Sequence, residues 1–231
     1  MGSVFKNLLC ILGLDPVNAY DVLEKCVSFE SSQDLVTMKQ RINDIRGNDF
    51  RSKLFGLKQD SEKLHLKLGT QINSKLAAAE FEIVRANELF RKTNQFNVTL
   101  SRSIIDFNKY MNSPNVAICE MRDSISDSGI IASILFNSNS NEIEIKEFVI
   151  SCRALGRNVE KYIFRALLQS ITESFWQQSI VLIPNIGTKN VPALEFVNNY
   201  FGKENEGNIL LSDKLLDETE KYFNQINNLG D

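Results

Sequence analysis

The fold is decided by the stretch Ser151-Cys152-Arg153-Ala154-Leu155-Gly156-Arg157-Asn158. It follows alternating apolar and polar residues over 142–150, which predict a strand, and it precedes a helical pattern over 159–175. A helix that begins after a glycine-containing turn presents unpaired backbone amides, which favour an anion. Arg153 and Arg157 flank the glycine and can pair with phosphate oxygens. The turn therefore predicts a phosphate site, the alternative being a plain connection with two solvated arginines.

The runs on either side of this turn predict a domain of the α/β (α+β) class. Upstream, strand patterns at 116–121, 129–136 and 142–150 are separated by connectors of hairpin length, so an antiparallel meander is expected. Before them, 101–111 has the pattern of a short helix that ends ahead of Pro114. Downstream, the pattern predicts an apolar strand, a helix, a weaker strand and a last helix, over 180–184, 191–200, 208–211 and 212–226.

Helical periodicity dominates the first third of the chain. Apolar residues recur at helix spacing over 16–26, 32–45 and 50–90. A helix as long as the third run cannot bury its own apolar stripe, so it is expected to lie along another domain or a partner. The sequence thus predicts a helical first third followed by a mixed remainder; the resemblance given below sets the bounds of these two parts at 1–80 and 81–231.

Composition excludes several classes of function. The chain has 26 basic and 29 acidic residues, a net charge of −3, which argues against nucleic-acid binding. No apolar run approaches the roughly 20 residues of a membrane span, so no membrane partner and a cytoplasmic location are expected. The four cysteines are scattered, and the one histidine, His65, lies in a charged helical pattern where a solvated side chain is expected. Neither a metal site nor histidine-based catalysis is predicted.

Cys152 is the candidate nucleophile. It comes just before a helix N-terminus and next to an arginine, surroundings that favour the thiolate over the thiol. A thiolate can accept an acyl group as a thioester and pass it to another thiol. The alternative is a small buried residue, the usual role of a free cysteine, and that interpretation is preferred for Cys10, Cys26 and Cys119.

A run of amide side chains is the second candidate site. Asn94, Gln95 and Asn97 follow a helical pattern, and such amides can hydrogen-bond a substrate hydroxyl or carbonyl or stabilise an oxyanion. The alternative is capping and turn formation, which amide side chains commonly perform. The residues alone leave both interpretations open.

The order of elements resembles the GNAT acyltransferase fold from about residue 81 to the C-terminus. The resemblance is carried by the meander, the R-x-x-G-x-x turn that opens a helix, and a helix with Asn190-x-x-Ala193-x-x-Phe196. It implies a mixed, mostly antiparallel sheet flanked by helices, in which the turn holds the pyrophosphate of an acyl-CoA or a carrier protein's phosphopantetheine. Where many members have a tyrosine that protonates the departing thiolate, this chain has Val197, and Tyr200 lies one turn further along.

Two longer stretches resemble the signatures of FkbH-like proteins, namely Lys92-Thr93-Asn94-Gln95-Phe96-Asn97-Val98-Thr99 and the residues 151–160. Between them, 122–129 resembles the family's acidic, glycine-containing hairpin without its usual Phe-Gly. Members join a haloacid-dehalogenase-type domain to a GNAT-like domain and load a glyceryl unit onto an acyl carrier protein. Residues 1–80 resemble only the end of the phosphatase-like domain and its connecting helix. Since the sequence contains no Asp-x-Asp, phosphatase activity is not expected.

The resemblance implies an acyltransferase that moves a glyceryl or related short acyl unit onto a phosphopantetheine thiol. The implied cofactor is phosphopantetheine on a carrier protein or a coenzyme A thioester, and the implied partners are an acyl carrier protein and a separate phosphatase-like subunit. The alternatives are a non-catalytic module that docks such a partner and an acetyl-CoA-dependent N-acetyltransferase. The residues assigned to catalysis are Cys152, Asn94, Gln95 and Asn97, and those assigned to the cofactor are Arg153, Leu155, Gly156, Arg157 and Asn158.

Overall fold

A computed structural model describes residues 42–44, 46–47, 61–106, 115–185, 187–203, 209–211 and 213–227. The chain divides into two compact units, Met1–Leu57 and Lys58–Asp231. The helices expected over 16–26 and most of 32–45 lie outside the described residues, as does the part of the third helical run from 50 to 60. The architecture below is that of the second unit.

A seven-stranded sheet forms the centre of the described part of this unit. Its strands follow the order β1-β2-β3-β4-β5-β7-β6, so the last two exchange places relative to the chain. The strands are β1 (Gln71–Leu76), β2 (Val116–Arg122), β3 (Asp127–Ser138), β4 (Glu142–Ile150), β5 (Ser179–Leu182), β6 (Phe201–Lys203) and β7 (Ile209–Leu211).

One parallel pair interrupts an otherwise antiparallel sheet. β4 and β5 run parallel over Glu142–Ile145 and Ser179–Leu182, while every other neighbouring pair is antiparallel. The parallel pair needs a crossover connection, which a helix provides. This strand order is that of a GNAT-like fold, and the predicted fold class, a mixed and mostly antiparallel sheet flanked by helices, is confirmed.

Five helices of the second unit have described bounds. They are α1 (Ser61–Leu68), α2 (Glu80–Lys92), α3 (Glu160–Ile171), α4 (Val191–Tyr200) and α5 (Lys214–Asn227), with a 3₁₀ turn at Phe175–Gln177. α2 begins where two backbone amides, those of Ala78 and Ala79, donate to the Glu82 carboxylate, which satisfies groups that the helix itself cannot. α4 has a proline in its first turn, where the missing N–H costs nothing.

The helices cover both faces of the sheet. α2 packs its buried side chains, including Ile83, Ala86 and Phe90, on the face that carries Ile118 and Val149. α3 lies on the opposite face, and its apolar stripe joins the larger core. At the centre of that core, the rings of Phe96, Phe148, Phe164 and Phe196 contact one another with centroids 4.9 to 5.8 Å apart, the spacing at which aromatic pairs stabilise a core.

The sequence predictions need three corrections here. The helix expected over 50–90 is wrong at 71–76, because these residues form β1, which pairs with β2 from Gln71↔Arg122 to Leu76↔Ala117. The sheet therefore begins inside the segment assigned to a helical extension. Residues 101–106 are irregular rather than helical. A third difference is β6, which the sequence pattern did not indicate. Within the described residues, no helix is long and apolar enough to cross a membrane.

Candidate functional site

The turn between β4 and α3 has the backbone geometry of an anion-binding loop. After Ile150 the chain forms tight turns, with backbone bonds from Ala154 N–H to Ser151 O (2.9 Å) and from Arg157 N–H to Ala154 O (3.3 Å). Asn158 is left-handed, with φ +54°, and Val159, which precedes α3, is right-handed, with φ −104° and ψ −5°. A left-handed residue followed by a right-handed one turns successive N–H groups into one concavity.

The backbone conformation at position 156 favours glycine, whereas the space around it would accommodate a larger side chain. The φ of Gly156 is +79°, a value that L-residues rarely adopt, whereas a Cβ placed on it would meet no atom within 4 Å. The open space beside Gly156 means that the turn is accessible from solvent. Asn158 is exposed as well, and asparagine tolerates the left-handed conformation better than most residues.

The cations around the turn differ in how far they reach solvent. Arg153 is only 7% exposed, so its guanidinium is mostly enclosed by protein. Arg157 is half-buried and donates from Nη1 to Ser128 Oγ at 3.4 Å. Lys161, in the first turn of α3, is half-buried and lies 3.1 Å from Glu218 of α5. Two cations, Arg157 and Lys161, thus lie at the turn and the start of α3, where the helix dipole favours an anion, but Lys161 is paired with Glu218. The Glu160 carboxyl lies in the same first turn of α3, and its burial raises its pKa.

His65 is part of the support of this turn, and the prediction of a solvated side chain is wrong. The ring is 4% exposed and its Nε2 lies 2.7 Å from the carbonyl oxygen of Arg157. A carbonyl only accepts, so Nε2 carries the proton; Nδ1 faces Thr70 Oγ1 at 3.3 Å. The rings of Tyr162 and Tyr222 pack edge-on against the imidazole, with centroids 6.3 and 6.5 Å away. α1 is thereby joined to the end of the turn.

The described residues include two free cysteine thiols. Cys152 is exposed at the start of the turn, whereas Cys119 is buried in β2. Burial raises the pKa of the Cys119 thiol far above its ordinary value, because the thiolate would be desolvated. Cys119 is therefore unreactive, and Cys152 remains accessible to a substrate. Within the described residues, no group of three histidine, cysteine or acidic side chains is arranged to hold a metal ion.

The three predicted amides do not form one site. Asn94 and Gln95 are exposed, and the Asn94 side-chain oxygen accepts from Arg102 Nη2 at 3.0 Å. Asn97 is fully buried, and both ends of its side chain bind backbone: Nδ2 donates to Phe90 O at 3.4 Å, and Oδ1 accepts from Leu100 N–H at 2.8 Å. The Asn97 amide thus performs the turn-forming role that was the alternative for these residues.

The segment Phe96–Val98 pairs with the edge of β4 where β4 and β5 separate. Val98 N–H donates to Phe148 O and Ile150 N–H donates to Phe96 O, both at 3.0 Å, which makes an antiparallel bridge between Asn97 and Val149. On the other side of the segment, the Val98 carbonyl accepts from the amide of Asn185 at 2.9 Å. The Asn190 side chain donates to Asn97 O at 3.0 Å. We call residues 96–98 the inserted strand.

A cavity of about 400 Å³ lies between the end of the turn and α4. Its lining includes aromatic rings of the core and of α4 as well as polar groups from the start of α3: Phe96, Asn158, Glu160, Lys161, Pro192, Glu195, Phe196, Asn199 and Tyr200. We call it the α4 groove. Val197 is buried in the core, whereas Tyr200, one turn later, lines the groove and donates its hydroxyl to Glu218 at 2.8 Å. Burial and that carboxylate raise the pKa of Tyr200, so the phenol stays protonated.

A second cavity, of about 420 Å³, lies where β4 leaves β5. Ser101 lines it and donates to Glu147 Oε1 at 2.8 Å, while Ser103 N–H donates to Oε2 at 3.1 Å. Burial raises the pKa of the Glu147 carboxyl, and the bonds from Ser101 and the loop amides partly offset that increase. The residues on either side of Ser101 are left-handed, with φ +57° at Leu100 and +54° at Arg102, so Glu147 anchors a strained loop.

Comparison with known proteins gives matches in structure only. No protein-family model matches the sequence. No curated protein matches it. A chain of the NatC complex bound to Gag peptide and CoA has 15% sequence identity and a TM-score of 0.41, covering 61% of this chain and 95% of that chain. A variant of the spermidine N-acetyltransferase SpeG from Vibrio cholerae has 13% identity and a TM-score of 0.41, covering 65% and 98%. The PaiA N-acetyltransferase from Thermoplasma acidophilum, in complex with coenzyme A, has 14% identity and a TM-score of 0.34, covering 61% and 97%.

The structure thus divides the predicted site residues into two groups. Residues 152–158 share one turn, whose last residue, Asn158, lines the α4 groove. Asn97 belongs to the inserted strand, and Asn94 and Gln95 lie on the surface. The sequence did not indicate His65 or Lys161 as parts of the turn's surroundings, although helical spacing places Lys161 in the first turn of α3. Tyr200 was indicated only by its position one turn beyond Val197.

Proposed function

We propose that the second unit is an acyltransferase whose acyl donor is a thioester with a phosphate-bearing arm, either an acyl-CoA or the phosphopantetheine of a carrier protein. The observation that carries this proposal is the turn itself: an exposed left-handed Gly156 and Asn158 lead directly into α3, whose N-cap residue, Val159, makes no side-chain capping bond. A groove of about 400 Å³ begins at Asn158 and continues along α4, so there is space for the rest of the arm.

The residues of the turn fit a phosphate group. The backbone amides of Asn158 and Val159 would donate to its oxygens, and Arg157 and Lys161 would balance its charge. The half-exposed guanidinium of Arg157 already donates to a neutral hydroxyl, that of Ser128, a bond that a phosphate oxygen can replace. A bound thioester would supply an acyl carbon that is readily attacked by a thiolate or an amine.

We further propose that Cys152 carries the acyl group. Its thiolate attacks the thioester carbonyl carbon; a C–S bond to Cys152 forms, the original C–S bond breaks, and the released thiol takes the proton that Cys152 gave up. The exposed thiol at the start of the same turn supports this assignment. A second transfer to a phosphopantetheine thiol would complete the loading of a carrier protein, and the FkbH-like signatures favour a glyceryl or related short acyl unit.

Direct transfer to an amine is the second candidate function, and Tyr200 favours it. The phenol lines the α4 groove and stays protonated, because burial and Glu218 raise its pKa; since the same shift makes it a weaker acid, it would act by hydrogen-bonding a departing thiolate rather than by giving up its proton. The Glu218 carboxylate, itself 3.1 Å from Lys161, holds the hydroxyl in place. In this route Cys152 is dispensable.

Intact-mass spectrometry separates these routes. The protein is incubated with an acyl-CoA, or with an activated glyceryl donor, and then with a holo-acyl carrier protein or a polyamine. For the cysteine route we expect a mass gain on the protein and then on the carrier, and loss of both in Cys152→Ala. Cys119→Ala is the matched control, since that thiol is buried and we expect its removal to leave transfer intact.

Three other outcomes of this experiment distinguish among the candidate functions. Transfer to the polyamine that persists in Cys152→Ala favours the amine route, and a Tyr200→Phe variant should then slow it. Binding of the carrier protein, or of a separate phosphatase-like subunit, without any transfer favours a docking module. Failure to bind coenzyme A or a phosphopantetheine group in any assay would refute the proposal.

A further inference from the structure

The two parallel strands of the sheet diverge before β4 ends. β5 pairs with β4 only as far as Leu182 and Ile145, whereas β4 continues to Ile150. Beyond that point the edge of β4 that faces β5 has backbone N–H and C=O groups that need partners. An extended ligand can bind such an edge by adding itself as a strand, and clefts where parallel strands separate are common ligand sites.

In this chain the inserted strand provides those partners. The carbonyl of Phe148 and the amide of Ile150 bind Val98 and Phe96, and the far side of the inserted strand binds Asn185 and Asn190. Both edges of the three residues are therefore hydrogen-bonded. The Phe148 carbonyl and the Ile150 amide are therefore occupied and are not available to a ligand.

The inserted strand is also packed as core. Phe96, Asn97 and Val98 are 1%, 0% and 0% exposed. The Phe96 ring contacts those of Phe148 and Phe196, at centroid distances of 5.4 and 5.6 Å. Displacing the segment would expose this ring and would leave the buried Asn97 side chain without its two backbone partners, so the segment does not leave readily.

We infer that the inserted strand permanently covers the β4 edge at Phe148 and Ile150, beyond the cavity that lies where β4 leaves β5, and that the thioester arm of the proposed function lies outside the sheet, in the α4 groove. This inference rests on the proposed function. The groove starts at Asn158, where the phosphate would bind, and Phe96 forms part of its wall on the side of the inserted strand. An arm with amide groups and short alkyl chains suits this lining, which combines Phe96 and Phe196 with the polar groups of Lys161 and Asn199.

A disulfide across the inserted strand tests the inference. Asn97 and Val149 form a non-hydrogen-bonded antiparallel pair, in which Cα atoms are about 4.5 Å apart, within the range that a disulfide bridges. The variant Asn97→Cys/Val149→Cys is made in a Cys152→Ala background to prevent wrong pairing. Peptide mapping verifies the bond, and the dissociation constant for coenzyme A is measured by calorimetry in the oxidised and reduced forms.

We expect the two forms to bind coenzyme A with dissociation constants within about twofold of each other. A loss of about tenfold or more on oxidation would overturn the inference, because the ligand would then require the inserted strand to move. The reduced form is the matched control, since it carries the same loss of the Asn97 side-chain bonds. A groove variant, Asn199→Trp, should weaken binding at least about tenfold if the arm lies there, and unchanged binding would contradict the inference.

Hydrogen exchange on the unmodified protein gives an independent measurement. On addition of coenzyme A, we expect slower exchange at the amides of 158–161 and no acceleration at Val98 and Ile150. Faster exchange at those two amides would show that the inserted strand leaves, and would overturn the inference. If the unmodified protein binds no coenzyme A at all, it is the proposed function that fails.

Discussion

The turn 151–158 and the segment 94–103 both combine polar side chains with left-handed residues, yet they direct their polar groups in opposite ways. In the turn, Gly156 and Asn158 are exposed, and the open space beside the glycine faces solvent. In the segment, Asn97 is buried and its amide binds the backbone of Phe90 and Leu100. The difference lies in the neighbours: the turn precedes a helix whose first amides have no internal partner, whereas the segment runs beside an open strand edge.

A dense run of polar residues in a sequence does not reveal whether their side chains point to solvent or into the core. A strand edge with unpaired backbone groups draws an adjacent segment inward, because each buried group left without a partner costs about 1–3 kcal/mol. The inserted strand satisfies the amide of Ile150 and the carbonyl of Phe148 in this way. In the turn, Gly156 and Asn158 instead remain exposed.

The largest effect is expected in the inserted strand. Phe96→Ala removes a ring that is 1% exposed and contacts two other aromatic rings, so we expect a loss of about 3–5 kcal/mol in the free energy of unfolding. Chemical denaturation measures this loss. The neighbouring Gln95→Ala is the control, because that side chain is exposed and its removal should change stability by less than about 0.5 kcal/mol. Similar losses in both variants would contradict the buried position of the inserted strand.

An intermediate effect is expected for His65, whose imidazole supports the turn through the Arg157 carbonyl. His65→Leu removes the donor to the Arg157 carbonyl, so we expect unfolding to become easier by about 1–3 kcal/mol. Since a planar trans peptide directs its N–H opposite to its C=O, releasing this carbonyl should also disturb the Asn158 amide and weaken phosphate binding. His65→Gln is the matched variant, because its side-chain amide retains a donor. A Gln variant as impaired as the Leu variant would argue against the role of this hydrogen bond.

The smallest effect is expected at the glycine of the turn. Gly156→Ala places a Cβ on a residue with φ +79°, which costs about 1–2 kcal/mol even though the Cβ meets no neighbour. Gly202→Ala, at a glycine that also has open space and no positive φ, is the control, and we expect it to be nearly neutral. Thermal unfolding of the two variants measures the difference. Equal stability would mean that the turn readily adopts another conformation.

Local patterns predicted most of the sheet and the turn. β2, β3 and β4 were recognised from their alternation and from hairpin-length connectors, and α4 has the predicted bounds of 191–200. β1 was missed for a physical reason: it is an edge strand whose side chains alternate only between exposed and half-buried. Ile72 and Leu76 are spaced four apart, which also fits a helix, and the pairing with β2 decides between the two.

The site was predictable where its geometry is local and not where it depends on distant contacts. Gly156 and Arg157 can be read from a turn before a helix, but nothing near His65 in the sequence indicates that Tyr162 and Tyr222 enclose it. Asn97 was predicted as a site residue but is buried, and its burial depends on the pairing with Val149, which is far away in the chain. Contacts of this kind are set by the topology of the sheet rather than by local propensity.

The bonds that join the two ends of the second unit have a consequence for its synthesis. His65 binds the carbonyl of a residue 92 positions later, and the Tyr222 hydroxyl donates to Thr70 O across 152 positions, at 3.1 Å. A ribosome adding about 5–20 residues per second needs roughly 8–30 s to produce the partner of Thr70 after Thr70 itself. Throughout that interval α1 and β1 lack the contacts that complete their burial. Until α5 has been synthesised, the Thr70 carbonyl and the rings that Tyr222 later covers lack these contacts.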